Sequence, residues 1–193
     1  MDPPQQRLDA RPLPRLRRGH GRPPLGRRRR RRYDAVAQIQ QDHATGLVPD
    51  FLVGDASRAL QPAPPDFLEG PADGAYSYNA CRFPGASAST PPYAGEPRAA
   101  AAVARLTSWA RQATGDDPTR FAAGYTLDGD VLPGARYQTA AFVAPLAVAA
   151  LTAGPQAWLD DAVDAVAHTH EGYYEDTLAV LSLLAVSGRR WAP

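Results

Sequence analysis

Five stretches after Tyr33 place apolar residues three and four positions apart, and each ends near a glycine or proline. That spacing puts the apolar side chains on one face of an α-helix and leaves no room for the alternation of a half-buried strand. YDAVAQIQQ carries Tyr33, Val36 and either Ala37 or Ile39 on one side, and Gly46 and Pro49 stop it. EPRAAAAVARLTSWARQATG predicts a helix over about 97–113 with Val103, Leu106, Trp109 and Ala110 buried, and Gly115 follows it. YQTAAFVAPLAVAAL contains Pro145, which can kink it. QAWLDDAVDAVAH presents Trp158, Leu159, Ala162, Val163 and Val166. YYEDTLAVLSLLAVSG predicts a last helix that buries Leu178, Leu181, Leu184 and Ala185 and ends at Gly188. Residues 55–75, rich in Pro, Gly and Asp, read as a long loop, and GYTLDG (124–129) as a turn between helices. No βαβ or strand-rich pattern appears, so the expected fold class is all-α.

Composition sharpens this picture where charge is concerned. The formal charge of +1 averages two unlike regions. Residues 1–32 hold twelve arginines against two acids, and the rest holds nine arginines against eighteen acids, a body of about −9. All 21 basic residues are arginine, which with abundant Ala, Gly and Pro is the trace of a GC-rich gene. The lone Cys81 excludes an internal disulfide framework. The apolar run Ala140 to Leu151 is too short to span a bilayer, and the N-terminus has charge but no apolar signal core, so neither a membrane nor a secretory leader is expected from these residues.

Two segments fit the helical scheme badly. RRRRRR at 27–32 invites a nucleic-acid reading, but no aromatic residue stands in the head for base stacking, and the body is acidic. A disordered tail is the plain alternative. A third reading is that 1–32 is translated out of frame, because GC-rich codons shifted by one nucleotide yield an amphipathic sequence running into Tyr33. The segment YSYNACRFPGASASTPPYAG (76–95) raises the same question. After Pro84 it turns into small residues and prolines that neither helix nor strand favours, and a neighbouring frame again gives an ordinary continuation. Residues 1–32 are therefore expected to be an Arg-rich irregular or out-of-frame segment, and 33–193 a helical domain disrupted at 85–94.

TGLVPDF (45–51), YSYNACRFP (76–84), GYTLDG, YQTAAFVAPLAVAA with QAWLD (137–160) and YYEDTLAVLSLLAVSGRRWAP (173–193) together resemble the C-terminal half of glycoside hydrolase family 8. That family includes endoglucanases, chitosanases, lichenases and xylanases. The resemblance implies a partial (α/α)6 toroid with about half of the helices. It also implies an inverting mechanism, in which a carboxylic acid protonates the leaving oxygen while a carboxylate opposite activates water. The family's general acid is a Glu that lies far upstream, and nothing in the 193 residues matches its motif.

Many members carry the base as an Asp in the box that here reads YNACR. Asn79 stands in that place, and an amide cannot take up a proton. One branch of the family has Asn there and carries its base as a Glu in the preceding loop, a position that Glu69 resembles. Asp73 is a lesser candidate, and an ordinary solvated acid is the alternative for both. Asn79 would orient the water or a sugar hydroxyl. Arg82 could grip a carboxylate or sugar hydroxyls, or form a salt bridge between helices. Tyr76 and Tyr78 could offer a stacking platform, or simply pack the core. Tyr125 and Asp128, in the GYTLDG turn, could line the cleft. Trp158 and Trp191 read as packing residues. HTHE (168–171) suits a metal only weakly, and no cofactor is expected.

The expected function is thus a glycoside hydrolase resembling an inverting endo-β-1,4-glucanase acting on a polysaccharide, with a chitosanase of the same family as the alternative. A catalytically inactive fragment lacking the general acid is a third possibility. The resemblance implies that the intact enzyme is extracellular, since its polymer lies outside the cell, and monomeric as a full domain. No nucleic-acid or membrane partner is expected.

Overall fold

The computed structural model describes residues 25–54, 60–89 and 97–189. Trp191, most of the Arg-rich head and residues 90–94 lie outside them. Among the described residues the chain forms six α-helices: α1 (Leu25–Asp42), α2 (Phe83–Ser89), α3 (Pro97–Thr114), α4 (Ala140–Ala153), α5 (Gln156–Ala167) and α6 (Tyr173–Val186). The only sheet among them is a two-residue antiparallel pair, β1 (Leu52–Val53) with β2 (Gln61–Pro62), in register Leu52 to Pro62. No helix of the described residues is long and apolar enough to cross a membrane.

Helix α4 is the centre of the molecule. Every residue from Ala140 to Ala150 is buried, as a helix apolar on all sides requires. Helices α2, α3, α5 and α6 all pack against it. The helix continues through Pro145. Its start is fixed twice: the Thr139 hydroxyl accepts from Ala141 N (3.3 Å), and the Glu171 carboxylate accepts from Ala140 N (2.9 Å) and from the Thr139 hydroxyl. A carboxylate at a helix N-terminus also complements the helix dipole. Glu171 of the HTHE motif is therefore a helix cap, and His168 and His170 are exposed.

Helices α3 and α5 follow their predicted stripes closely. Val103, Leu106 and Ala110 of α3 and Trp158, Leu159, Ala162 and Val166 of α5 are buried, while Trp109 and Val163 are half-buried. The structure adds to three of these expectations. Residues 27–32 lie in α1, which begins at Leu25 and runs into Tyr33. The small-residue stretch after Pro84 is also helical as far as Ser89, and its lack of bulk is what lets α2 lie close on α4. A Cβ at Gly85 would stand 3.3 Å from both Cα and Cβ of Pro145. Finally, α6 buries Ala179 and Ser182, while Leu181 (55% exposed) and Leu184 (39%) face outward and Leu178 and Ala185 are half-buried. This helix is apolar on both sides, so periodicity could not choose its inner face. The small residues were chosen by close approach to α4.

Candidate active site

The loop 66–74 and the turn 76–82 meet at one aspartate. Asp50 N donates to Ala75 O (2.8 Å) and Phe51 N to Asp73 O (2.9 Å), so TGLVPDF lies alongside the loop. The Asp50 carboxylate then reaches the turn. Its Oδ1 accepts from the backbone N–H of Ser77 (3.0 Å), Asn79 (3.2 Å) and Ala80 (2.7 Å). These are the donors at the start of the short 3-10 turn Ala80–Arg82, where intrahelical partners are missing. Burial pushes the Asp50 carboxyl above its ordinary range, against the lowering effect of the three N–H donors, and the negative charge of Glu69 adds to the rise.

Asp73 plays the corresponding part in the loop. Its carboxylate accepts from Leu68 N (2.6 Å), Glu69 N (3.1 Å to Oδ2) and Gly70 N (3.0 Å). Burial alone would raise its proton affinity, but the converging N–H groups outweigh it and hold the carboxyl below its ordinary range. A buried carboxylate occupied by three donors cannot serve as a base toward water, so Asp73 is a loop anchor.

Between these anchors, Glu69 is exposed and its Oε2 accepts from Asn79 Nδ2 at 2.7 Å. Asn79 Oδ1 in turn accepts from Arg82 Nη2 at 2.7 Å, and Arg82 Nε donates to Asn79 O (3.2 Å). The three residues singled out as catalytic thus form one chain, Arg82 to Asn79 to Glu69. Arg82 thus holds Asn79 by its side-chain Oδ1 and by its backbone carbonyl. This fixes which side of the amide faces Glu69, so the donor points at the carboxylate. Beside them, a cavity of about 740 Å³ is lined by Asp50, Asn79 and Arg82 and by apolar residues of α1, including Val36 and Ile39.

The four residues proposed to touch substrate divide. Tyr76 is fully buried, in edge contact with Phe121 (6.3 Å) and Phe142 (5.8 Å). Tyr125 is 4% exposed, pairs with Tyr76 in a two-residue bridge, and its hydroxyl accepts from Ala122 N (2.7 Å). Both are core residues, because side chains closed off from solvent cannot meet a saccharide. Asp128 bonds His43 Nδ1 (2.7 Å) and lines a different cavity with Trp109 and Ser108. Tyr78 alone stays beside Asn79, half-buried, with its ring on Phe142 (5.2 Å) and Tyr174 (5.9 Å). Trp158 is core, as expected. Cys81 is buried beside Tyr174, and burial pushes its thiol up to about 12, which removes it as a nucleophile.

Sequence reading missed Asp50 and Tyr137. Asp50 stands in a motif that was noticed only as a resemblance. The Tyr137 hydroxyl lies 3.0 Å from that of Tyr78, and nothing in the local sequence of either residue signals that contact.

Comparison with known proteins finds related sequences and solved structures. The chain is 37% identical over 150 residues to a β-glucanase of Niallia circulans, covering 77% of this chain and 36% of that protein. It is 32% identical over 151 residues to an endoglucanase of Bacillus sp. strain KSM-330, covering 77% and 32%. Among solved structures, the apo β-1,3-1,4-glucanase of Paenibacillus sp. X4 superposes with a TM-score of 0.75 at 33% identity, over 83% of this chain and 43% of that one. A family 8 glycoside hydrolase of Teredinibacter turnerae, solved with xylobiose, shares the fold with a TM-score of 0.57 at 19% identity, over 81% and 38%. No protein-family profile matches the chain. The fold and these similarities define the class, an all-α chain built on helices of the (α/α)6 toroid, whose curated relatives are glucanases. The chain resembles glycoside hydrolase family 8 over its matched residues and spans about a third of the length of the curated relatives it matches.

Proposed function

We propose that this chain carries the water-activating side of an inverting β-glucan hydrolase site, with Glu69 as the general base. The observation that carries this reading is the exposed Glu69 carboxylate held by the Asn79 amide at 2.7 Å, with Arg82 fixing that amide. In the reaction, a water between Glu69 and the anomeric carbon gives its proton to Glu69 as its oxygen forms the new bond. The glycosidic C–O bond breaks on the opposite face, and a carboxylic acid there donates a proton to the leaving oxygen. Asn79 donates to Glu69 and so orients the lone pair used for the proton. The names of the 37% and 32% identical relatives favour β-glucan over chitosan as substrate. A polymer of that kind places the intact enzyme outside the cell.

A second reading is a non-catalytic remnant, since no residue among the 193 matches a general acid to stand opposite Glu69. One assay separates the two. The purified chain is incubated with mixed-linkage β-glucan, carboxymethyl-cellulose and chitosan, and new reducing ends are measured. Proton NMR then records the anomer first released. Hydrolysis with inversion that Glu69→Gln abolishes supports the first reading. Hydrolysis that survives Glu69→Gln refutes Glu69 as base. Absence of hydrolysis on all three polymers supports the remnant.

A further inference from the structure

We propose that Tyr137 is a saccharide-stacking residue of this site, a proposal that rests on the sugar-site reading above. An exposed aromatic alone would mean little, since single apolar residues are common on protein surfaces. Tyr137 differs because it is 49% exposed and held at both ends. Its backbone N donates to Ala135 O (2.8 Å), and its carbonyl accepts from Ala123 N (3.0 Å). Its hydroxyl meets that of Tyr78 at 3.0 Å, and Tyr78 immediately precedes Asn79. Tyr78 is itself wedged against Phe142 and Tyr174, and its carbonyl accepts from the Tyr174 hydroxyl. The exposed ring is therefore tied, through one well-packed neighbour, to the residue that holds Glu69.

This arrangement suits a β-linked glucan. A pyranose ring with equatorial hydroxyls presents an apolar C–H face that stacks on an aromatic ring, while a phenol tip can bond the hydroxyls at its edge. Burial, and then the bond to Tyr137, push the Tyr78 phenol up, so Tyr78 stays protonated across the working range. A ring already fixed in place also loses little conformational freedom when sugar binds.

The test is isothermal titration calorimetry of the whole chain with a β-1,4-linked glucose tetrasaccharide. Tyr137→Ala is expected to raise Kd about tenfold, or ~1.4 kcal/mol. Tyr137→Trp, which keeps an aromatic face, is expected to stay within roughly threefold of the parent, about 0.7 kcal/mol. Asn79→Ala marks the site independently. Parent-like binding by Tyr137→Ala, with binding weakened by Asn79→Ala, overturns the stacking role and leaves the sugar site standing. If Tyr137→Ala does not fold, loss of affinity in a folded Tyr137→Trp overturns it. No binding by the parent chain removes both the sugar-site reading and this proposal.

Discussion

Replacing Asp50 with alanine should weaken the fold and the site together. One oxygen, Oδ1, accepts all three backbone N–H groups of Ser77, Asn79 and Ala80. Its loss leaves three donors at the start of a turn whose own Asn79 side chain makes no cap. An orphaned donor costs about 1–3 kcal/mol when water is excluded, and loss of a helix N-cap about 0.5–2 kcal/mol. Ser77 and Asn79 are half-buried, so water can satisfy part of the deficit, and the expected loss is ~2–3 kcal/mol. Asparagine keeps the accepting oxygen. Because burial raises the Asp50 carboxyl above its ordinary value, the fold favours the neutral form, and Asp50→Asn removes a charge that the fold disfavours. Its cost should stay below about 1 kcal/mol near neutral pH. As pH falls through the raised folded value toward 3.8, the parent should gain stability from this group, and the asparagine variant should not. Urea unfolding followed by circular dichroism measures all three proteins. Equal destabilisation by alanine and asparagine would refute the reasoning, because it would mean that the charge, and not the oxygen, holds the turn.

Asp73 should show the opposite pH behaviour, since its folded value is depressed. Its contribution is complete above 3.8 and disappears as pH falls from there toward the lower folded value, so urea midpoints of Asp73→Asn should drop less than those of the parent in that window. Gly46→Ala should destabilise by about 2–4 kcal/mol, combining the left-handed backbone penalty with overpacking. The reason is that Gly46 has φ +77° and a Cβ there would lie 2.6 Å from Leu106 N; parent-like thermal unfolding would contradict it. Leu181→Glu with Leu184→Glu should reduce self-association in light scattering without lowering the melting temperature, because these side chains face outward, and unchanged scattering would count against their exposure as its cause. We further propose that residues 1–32 and 85–94 contain frame changes. Genomic resequencing through the codon for Gly95 should find the compensating nucleotides, and a confirmed reading without them would reject this.

Much of the scaffold was legible because helix periodicity is local. The stripes of α3 and α5 and the burial of Trp158 follow from spacing alone. Glu69, Asn79 and Arg82 could be chosen because their residue types and order resemble a known box, and the structure brings all three into one hydrogen-bonded chain. Which tyrosines reach the surface was not legible, for a physical reason. A tyrosine has an apolar ring suited to a core and a polar tip suited to a cleft, and sequence does not say which is served. Tyr76 and Tyr125 went to the core, while the exposed position fell to Tyr137.

By itself, then, the sequence determined an all-α chain, the bounds of α3 and the residues of the candidate base. These depend on neighbours three to ten positions apart, within reach of spacing and turn chemistry. Only tertiary structure decided which face of α6 is buried, that small residues after Pro84 form a helix against Pro145, and that Asp50 joins the Glu69 loop to the Asn79 turn. Those outcomes turn on contacts between residues some 30 to 60 positions apart along the chain, such as Asp50 with Ala80 (30 apart) and Tyr78 with Tyr137 (59 apart). Close packing selects among side chains that local periodicity treats as equivalent.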